Sequence, residues 1–455
     1  MFKKKIKRPK EATYKEVWVN GDAATKISFF LMGIAQLKNK QWLKGLVFLL
    51  SEVIFLVWFI FSGASAIYLL GSLGPNKVGG KQTWNPAAGK FVITQADNSM
   101  LILLFGILAV IVVALMVWLY IVSLQSTRHL YVLNRDKKHI PTTMQDLQSL
   151  LNERLYATLM FVPLIGVLLF TILPIIYMVT IAFTNFDNSH QWPANGFSWV
   201  GFATFGQVLF GQGQIGHTFL PVLTWTLIWA VAATVTTFFF GVLLALLIES
   251  KGVKFKGFWR TMFVVVFAVP QFVSLLLMHQ FLIDQGPLNT LLMNLHWISH
   301  PLPFWTDPMW TRVTVILVNM WIGIPVSMLV ATAIIQNLPQ DQIEAARIDG
   351  ASAFQVFRSI TFPQILFVMT PALIQQFVGN INNFNVIFLL NGGGPSNPNY
   401  FMAGNTDLLV TWLYNLTLGQ LKNYNLAAVV GILIFIITAF FSLIAYRRTN
   451  AFKEG

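Results

Sequence analysis

Long apolar runs alternate with short polar segments along most of the chain. A helix needs about 20 largely apolar residues to cross the core of a bilayer, and eight runs meet that length. The chain is therefore predicted to be an all-α polytopic membrane protein with eight transmembrane helices, which puts both termini on the same side of the membrane. The predicted spans are residues 43–62, 99–122, 157–183, 219–248, 261–282, 311–335, 364–390 and 425–446.

A shorter apolar stretch precedes the first span. It runs from Ile27 to Leu37, is too short to cross a bilayer and is flanked by lysines, so it predicts an interfacial or re-entrant helix. No small-residue cleavage site follows it, which argues against a signal peptide. We expect three segments: a cytoplasmic amino-terminal segment over 1–42, two spans and a linker over 43–152, and a core of six spans over 153–455 that holds a cytoplasmic loop at 336–363.

Basic residues gather in alternate loops and so predict the orientation. Of the 30 Lys and Arg, 25 lie in residues 1–44, 123–155, 249–260 and 336–363 and after Tyr446. Positive residues concentrate on the cytoplasmic side of membrane proteins, so both termini and the loop at 336–363 are predicted to be cytoplasmic. The net charge of +13 is thereby explained by topology, and a nucleic-acid partner is not expected.

The composition supports a membrane protein without metal chemistry. Hydrophobic residues make up 56% of the chain and charged residues 10%, which is too apolar for a soluble domain. The chain has no cysteine, so disulfides and thiolate metal sites are excluded. Its seven histidines include no pair at metal-ligand spacing.

Ionisable groups are nearly absent from the predicted spans. Glu52 and His279 are the exceptions, and a proton relay normally needs paired acids or bases. Glu52 has no basic partner at helical spacing, so packing explains it better than proton transfer. An ion-driven secondary transporter remains an alternative, with only these two residues in its support.

Uncharged amides form the most unusual polar group in the spans. Six carboxamides fall between Gln375 and Asn385, and Gln376, Asn380 and Asn383 share one face of a continuous helix. Carboxamides both donate and accept hydrogen bonds, which suits a neutral solute rich in hydroxyl groups. The alternative is that the amides only join helices, in a scaffold without a solute path, and Asn382 and Asn385 suit that role better.

Proline and glycine interrupt two other spans. Asn319, Trp321 and Gly323 precede Pro325 in the sixth span, and Pro270 lies in the fifth. Such breaks are tolerated where a cavity or a neighbouring helix satisfies the freed backbone groups, and they often mark a transport pathway. Helix packing would explain any one of them alone.

The cytoplasmic loop has the pattern of two helices joined by a tight turn. Pro339 suits the first turn of a helix through Glu344, and Gly350 is positioned to end it. Ser352 and Gln355 form a capping box for a second helix, and Pro363 marks the entry to the next span. The product is a helix-turn-helix projection at the membrane surface.

This loop resembles the EAA signature of the membrane permeases of ATP-binding-cassette importers. The residues that match are Glu344, Ala345, Ala346, Asp349, Gly350, Ile360 and Pro363. Phe362 departs from the leucine that is usual in that family. The resemblance implies the type I importer permease fold and a projection that couples the chain to an ATPase.

The segments GNINNFNVIFLLNGGGP, TDLLV and LAAVVG are similar to the larger permease of maltose and maltodextrin importers. The resemblance implies a sugar site in the membrane at Asn319, Ile322, Gly323, Gln376, Gly379, Asn380 and Asn383. Because Gln376, Gly379 and Val326 differ in type from the enterobacterial subunit, another oligosaccharide stays open. The external loop at 184–218 is short, so smaller loops must dock the binding protein.

The partners follow from the same resemblance and from what the sequence lacks. The segment GSLGPNKVGGKQ at 71–82 misses the spacing of a phosphate-binding loop, so this chain is expected to bind no cofactor and to catalyse no reaction. The implied partners are a smaller permease, two copies of a cytoplasmic ATPase that binds ATP, an extracytoplasmic sugar-binding protein, the oligosaccharide and membrane lipid.

Overall fold

The structure is a computed structural model that describes residues 12–86, 89–250 and 252–447. It is predominantly helical, and the chain forms two compact units, one ending at Trp199 and the other beginning at Val200. Seven of the described helices are long and apolar enough to cross a membrane. The multi-pass helical fold is thus confirmed, whereas the division into segments 1–42, 43–152 and 153–455 stays a prediction. The segment 1–42 and the carboxyl terminus lie partly outside the described residues.

The first unit combines three long helices with short helices and one hairpin. Two of the long helices contain a π-helical turn, one at Phe59–Gly63 and one at Leu168–Ile172. Strands β1 and β2 pair antiparallel, with Trp84 opposite Phe91. The elements are α1 (Tyr14–Asn20), α2 (Ala23–Ile27), α3 (Ile34–Lys38), α4 (Trp42–Ser72), β1 (Gln82–Asn85), β2 (Lys90–Ile93), α5 (Ser99–Arg135), α6 (Thr143–Leu151) and α7 (Leu155–Ile181).

The expected interfacial helix over 27–37 is wrong as a single helix. The backbone turns between α2 and α3, and Gly33 has φ +88° there. A Cβ on Gly33 would lie 2.2 Å from the carbonyl oxygen of Gly45 in α4, so only glycine fits this approach. Glu52 accepts a hydrogen bond from the backbone N–H of Met32 at 2.6 Å, which gives this carboxylate a structural partner in the turn.

The second unit contains the remaining spans. Its elements are α8 (Ala203–Phe210), α9 (Gln214–Glu249), α10 (Lys256–Val264), α11 (Gln271–Phe281), α12 (Pro287–Asn294), α13 (Pro308–Gln336), α14 (Gln340–Ile348), α15 (Ala353–Ile381), α16 (Phe384–Asn391), α17 (Leu409–Leu418) and α18 (Tyr424–Arg447). The helix pair α9 and α13 forms its centre, and α15 packs on both.

The fifth predicted span is broken rather than continuous. After α10 the chain forms a short 3₁₀ turn at Val265–Ala268, and α11 begins after Pro270. Proline lacks an N–H and favours an extended residue before it, and Val269 is extended at φ −95° and ψ 128°. The described residues therefore hold seven continuous spanning helices, and the fifth predicted span corresponds to two shorter helices, α10 and α11.

The seventh predicted span, 364–390, also differs from the structure. Helix α15 begins at Ala353, well before Pro363, and ends at Ile381, and the separate helix α16 follows. The second arm of the projection that is predicted to be cytoplasmic is therefore continuous with a membrane helix. A π-helical turn at Phe357–Thr361 lies within this continuous helix.

Two close backbone approaches join α9 to α13. A Cβ on Gly241 would lie 2.4 Å from the Cβ of Ser327, and one on Gly323 would lie 2.7 Å from Cγ2 of Thr237. Small residues at such crossings let helices pack closely without the hydrophobic effect that water would provide. These two contacts hold α13 against α9, and both helices contact the amides around the end of α15.

Candidate functional site

Three amides meet where α15 ends and α16 begins. The side-chain nitrogen of Asn383 donates to Oδ1 of Asn319 and to Oδ1 of Asn380, each at 3.4 Å. Asn383 also caps α16, because its Oδ1 accepts from the N–H of Val386 at 3.3 Å. Asn383 therefore lies beyond the end of the helix that carries Asn380, so the predicted continuous helix face is wrong, although the two side chains do meet.

Asn380 is buried and held in place by α9. Its side-chain nitrogen donates to Oγ1 of Thr234 at 3.0 Å, and its backbone oxygen accepts from the indole N–H of Trp229 at 3.1 Å. Both partners are buried, so the amide cannot change its contacts without leaving a polar group unpaired. Asn380 thus joins helices in this conformation, whatever else it binds.

Gln376 and Gly379 lie on more open parts of α15. Gln376 is half-buried and makes no side-chain hydrogen bond to any residue that the structure describes. Gly379 is exposed, and a Cβ there would meet no atom within 4 Å. One turn before Asn380, Gln376 therefore offers a free donor and acceptor beside open space.

The other predicted residues on α13 have packing roles. Ile322 is half-buried against the core around Trp229 and Val315, and Gly323 provides the close approach to Thr237. Asn319 is buried and reaches the amide group through Asn383. Asn382 and Asn385 are both exposed, and the only side-chain bond of Asn382 is to the backbone of its own helix, so helix joining is not seen for either residue among the described residues.

A polar and aromatic group that was not predicted lies near the starts of α9 and α13. The guanidinium of Arg312 lies 4.8 Å from the ring centroid of Trp225 and donates to the carbonyl oxygen of Asn405 from two nitrogens at 3.2 Å. These two side chains line an open cavity of about 380 Å³ with Pro221 and Thr224. The i, i+4 spacing of Trp225 and Trp229 was the available signal.

A buried acid lies in the external segment between α16 and α17. Burial raises the pKa of the Asp407 carboxyl to about 6, against the smaller opposing effects of Thr411 and the N–H of Gly404. Its Oδ2 accepts from Gly404 at 2.7 Å. Gly393, at φ +83°, passes so close that a Cβ would lie 2.1 Å from Oδ1 of Asp407. The carboxyl therefore fixes the shape of this external segment.

The cytoplasmic projection has the two helices and the turn that its sequence predicts. Gly350 adopts φ +81° directly after α14, and Ser352 and Gln355 form the capping box in both directions. Pro339 is the N-cap of α14 and so precedes its first turn. Phe362 packs against Phe357, with ring centroids 5.6 Å apart, so the unusual aromatic residue is accommodated inside the unit.

The outer surface of this projection is available to a partner. Glu344, Ala345, Asp349, Gly350 and Pro363 are exposed, and Ala346 and Ile360 are half-buried. Two apolar residues beside them are also uncovered, since Ile348 is 86% exposed and Phe354 is 68% exposed. Large apolar side chains on an otherwise polar surface are typical of an interaction site.

Comparison with known proteins assigns the chain to a family. Residues 237–451 match the model described as the binding-protein-dependent transport system inner membrane component. The chain is 37% identical over 424 residues to the galactooligosaccharides transport system permease protein GanP of Bacillus subtilis (strain 168), across 93% of this chain and 96% of that protein. It is 33% identical over 427 residues to the maltodextrin transport system permease protein MdxF of the same organism, across 92% and 94%.

The fold is similar to that of a chain in the crystal structure of a bacterial ABC transporter involved in the import of the acidic polysaccharide alginate. The TM-score is 0.53 at 24% identity, over 66% of this chain and 96% of that chain. This structural similarity concerns the fold alone, whereas the two sequence relatives align with nearly the whole length of this chain. The chain is a multi-pass membrane protein that belongs to the inner membrane components of binding-protein-dependent transport systems, the permeases of ATP-binding-cassette importers.

Proposed function

We propose that this chain forms the translocation path for neutral oligosaccharides of the maltodextrin type, delivered by an extracytoplasmic binding protein. The observation that carries the proposal is the amide group at the α15–α16 break, with Gln376 free beside it. Sugar hydroxyls lose hydrogen bonds to water when they enter a membrane, and amides replace both donors and acceptors. The seven residues Asn319, Ile322, Gly323, Gln376, Gly379, Asn380 and Asn383 are the proposed site.

These seven residues divide by role within that site. Gly379 meets open space and Gln376 is half-buried with no hydrogen-bond partner among the described residues, so these two would contact the sugar directly. Asn380 and Gly323 hold helices together, and Asn319 is tied to them through Asn383, which makes these residues the frame of the path. The frame explains why α15 can break at Asn382 and Asn383 without leaving polar groups unpaired.

A galactooligosaccharide is the second candidate substrate. The relative GanP carries that name and is 37% identical to this chain, compared with 33% for MdxF. Direct uptake separates the two: labelled maltotriose and a labelled galactooligosaccharide are each offered to cells with and without this chain. Uptake of maltotriose alone that depends on the chain supports the first substrate, and uptake of the galactooligosaccharide alone supports the second.

The cytoplasmic projection is the proposed contact with the ATPase. Its exposed residues Glu344, Ile348 and Phe354 present one charge and two apolar surfaces at a tight turn. We expect them to enter a cleft on one of two ATPase copies, with Glu344 facing a basic residue there. ATP then binds only to the partner, and closure of the ATPase pair favours a different exposure of the path.

Co-purification tests this set of partners. The tagged chain is extracted from its native membranes in mild detergent, and the proteins that accompany it are identified by mass spectrometry. The proposal predicts a smaller permease, an ATPase and a sugar-binding protein. Recovery of the chain alone, still able to move sugar, would instead support the ion-driven transporter, which would be sensitive to a protonophore and insensitive to vanadate.

A further inference from the structure

A small cavity in the first unit combines cationic, acidic and apolar walls at the cytoplasmic membrane surface. It measures about 260 Å³ and lies between the start of α4, helix α6 and the start of α7. Lys44, Asp146 and Arg154 supply its polar side, and Phe48, Leu147 and Leu150 are among its apolar residues. The cavity therefore combines charged and apolar walls, as an amphiphile requires.

Two of the elements that form the cavity, the start of α4 and the start of α6, are joined by hydrogen bonds beside it. The side-chain nitrogen of Gln41 donates to the carbonyl oxygen of Pro141 at 3.0 Å, and Oγ1 of Thr143 donates to that of Lys40 at 3.3 Å. A capping box between Thr142 and Gln145 fixes the start of α6. The cavity is thus a feature of the folded unit.

The charged groups in the cavity do not neutralise one another by direct contact. Among the described residues, neither Lys44 nor Arg154 forms an ion pair with a carboxylate. Oδ2 of Asp146 is buried and has no hydrogen-bond partner among the described residues. Two cations face one carboxylate that contacts neither of them, and one oxygen of that carboxylate lacks a donor, which describes the complement of a missing ligand.

We propose that this cavity binds the headgroup of an anionic phospholipid, phosphatidylglycerol, from the cytoplasmic leaflet. Its phosphate lies between Lys44 and Arg154, a hydroxyl of its terminal glycerol donates to Asp146, and an acyl chain follows the apolar wall toward Phe48. The three ionic side chains carry a net charge of +1, which the single negative charge of this lipid balances. A zwitterionic phosphatidylethanolamine would leave that charge uncompensated. Basic pockets at the cytoplasmic ends of membrane helices are suited to anionic headgroups.

Lipid binding to the purified importer complex tests the proposal. Delipidated complex is titrated in detergent with dioleoyl-phosphatidylglycerol, dioleoyl-phosphatidylethanolamine or inorganic phosphate, and bound lipid is counted by native mass spectrometry. We expect phosphatidylglycerol to bind more tightly than phosphatidylethanolamine. Lys44→Gln and Arg154→Gln should each weaken its binding about fivefold, since a cation near the membrane surface contributes about that factor.

Two further variants sharpen the result. Lys15→Gln removes an exposed cation on α1 that does not line the cavity, so it should leave lipid binding unchanged. Asp146→Asn keeps an acceptor and removes a negative charge, so phosphatidylglycerol should bind at least as tightly. Equal binding of both lipids, an equal effect of Lys15→Gln, loss of phosphatidylglycerol with Asp146→Asn, or displacement of the lipid by millimolar phosphate would each overturn the proposal.

Discussion

Gly350 provides the sharpest test of how the cytoplasmic projection works. It adopts φ +81° between α14 and the capping box, and a Cβ there would meet no atom within 4 Å. Within this chain, a side chain at position 350 would therefore act only through the backbone. An L-residue in this left-handed region is disfavoured by about 1–2 kcal/mol, and a β-branched residue by more. That free energy lowers the population of the native turn by a factor of about 5–30.

The perturbation is Gly350→Val, and Gly350→Asn is its matched control, because asparagine tolerates the left-handed conformation. Both variants are reconstituted with the partner subunits, and sugar-stimulated ATP hydrolysis and uptake are measured together with assembly of the complex. We expect valine to reduce both activities at least fivefold and asparagine to retain most of each. If valine were fully active, or if asparagine were as defective as valine, the turn conformation would not be what coupling requires.

Three other predictions concern the second unit. Asn380→Ala should lower the apparent melting temperature in detergent, because it removes a buried hydrogen bond of about 1–3 kcal/mol, whereas Gln376→Ala should leave melting unchanged and reduce uptake. The folded-state pKa of Asp407 is about 6, above its usual 3.8, so the folded protein binds the extra proton and stability should fall as pH rises from about 4 through 6. Asp407→Asn should abolish that fall in a melting series across pH. Gly241→Ala should lower the melting temperature, because the added methyl group forces α9 and α13 apart at Ser327. Gly379→Ala is the control, since its methyl group meets open space and should leave the melting temperature unchanged. Equal effects of the two variants would contradict the packing account.

The features of the fold that could be predicted from sequence depend on local chemistry. The turn at Gly350 and the box formed by Ser352 and Gln355 involve neighbours in the chain, and the structure has both. Six of the eight apolar runs correspond to continuous helices for the same reason, since hydrophobicity over 20 residues decides insertion.

The breaks in the fifth and seventh predicted spans could not be read from hydrophobicity. The run around α16 stays largely apolar after Asn383, so its hydrophobicity does not separate α16 from α15, although the amide cluster lies at the break. The break exists because Asn383 caps α16 and bonds Asn319, which lies 64 residues earlier in the chain. The location of the interruption thus depends on a contact between distant segments.

The candidate site was likewise predicted only in part, because some of its features depend on contacts between distant segments. The sequence identified Gln376, Asn380 and Asn383 as unusual, but their different roles depend on α9. Thr234 and Trp229 hold Asn380, and neither residue stands out in a span rich in threonine and aromatic side chains. Gln376 remains free because no described residue reaches it, which only the packed structure reveals.

Transport in a defined system tests the central claim most directly. The chain is reconstituted in proteoliposomes with its smaller permease and ATPase, and labelled maltotriose uptake is measured with ATP inside and binding protein outside. The account predicts uptake that requires both, that vanadate stops and that a protonophore leaves unchanged. Uptake that proceeds without ATP or binding protein and collapses with the protonophore would contradict it.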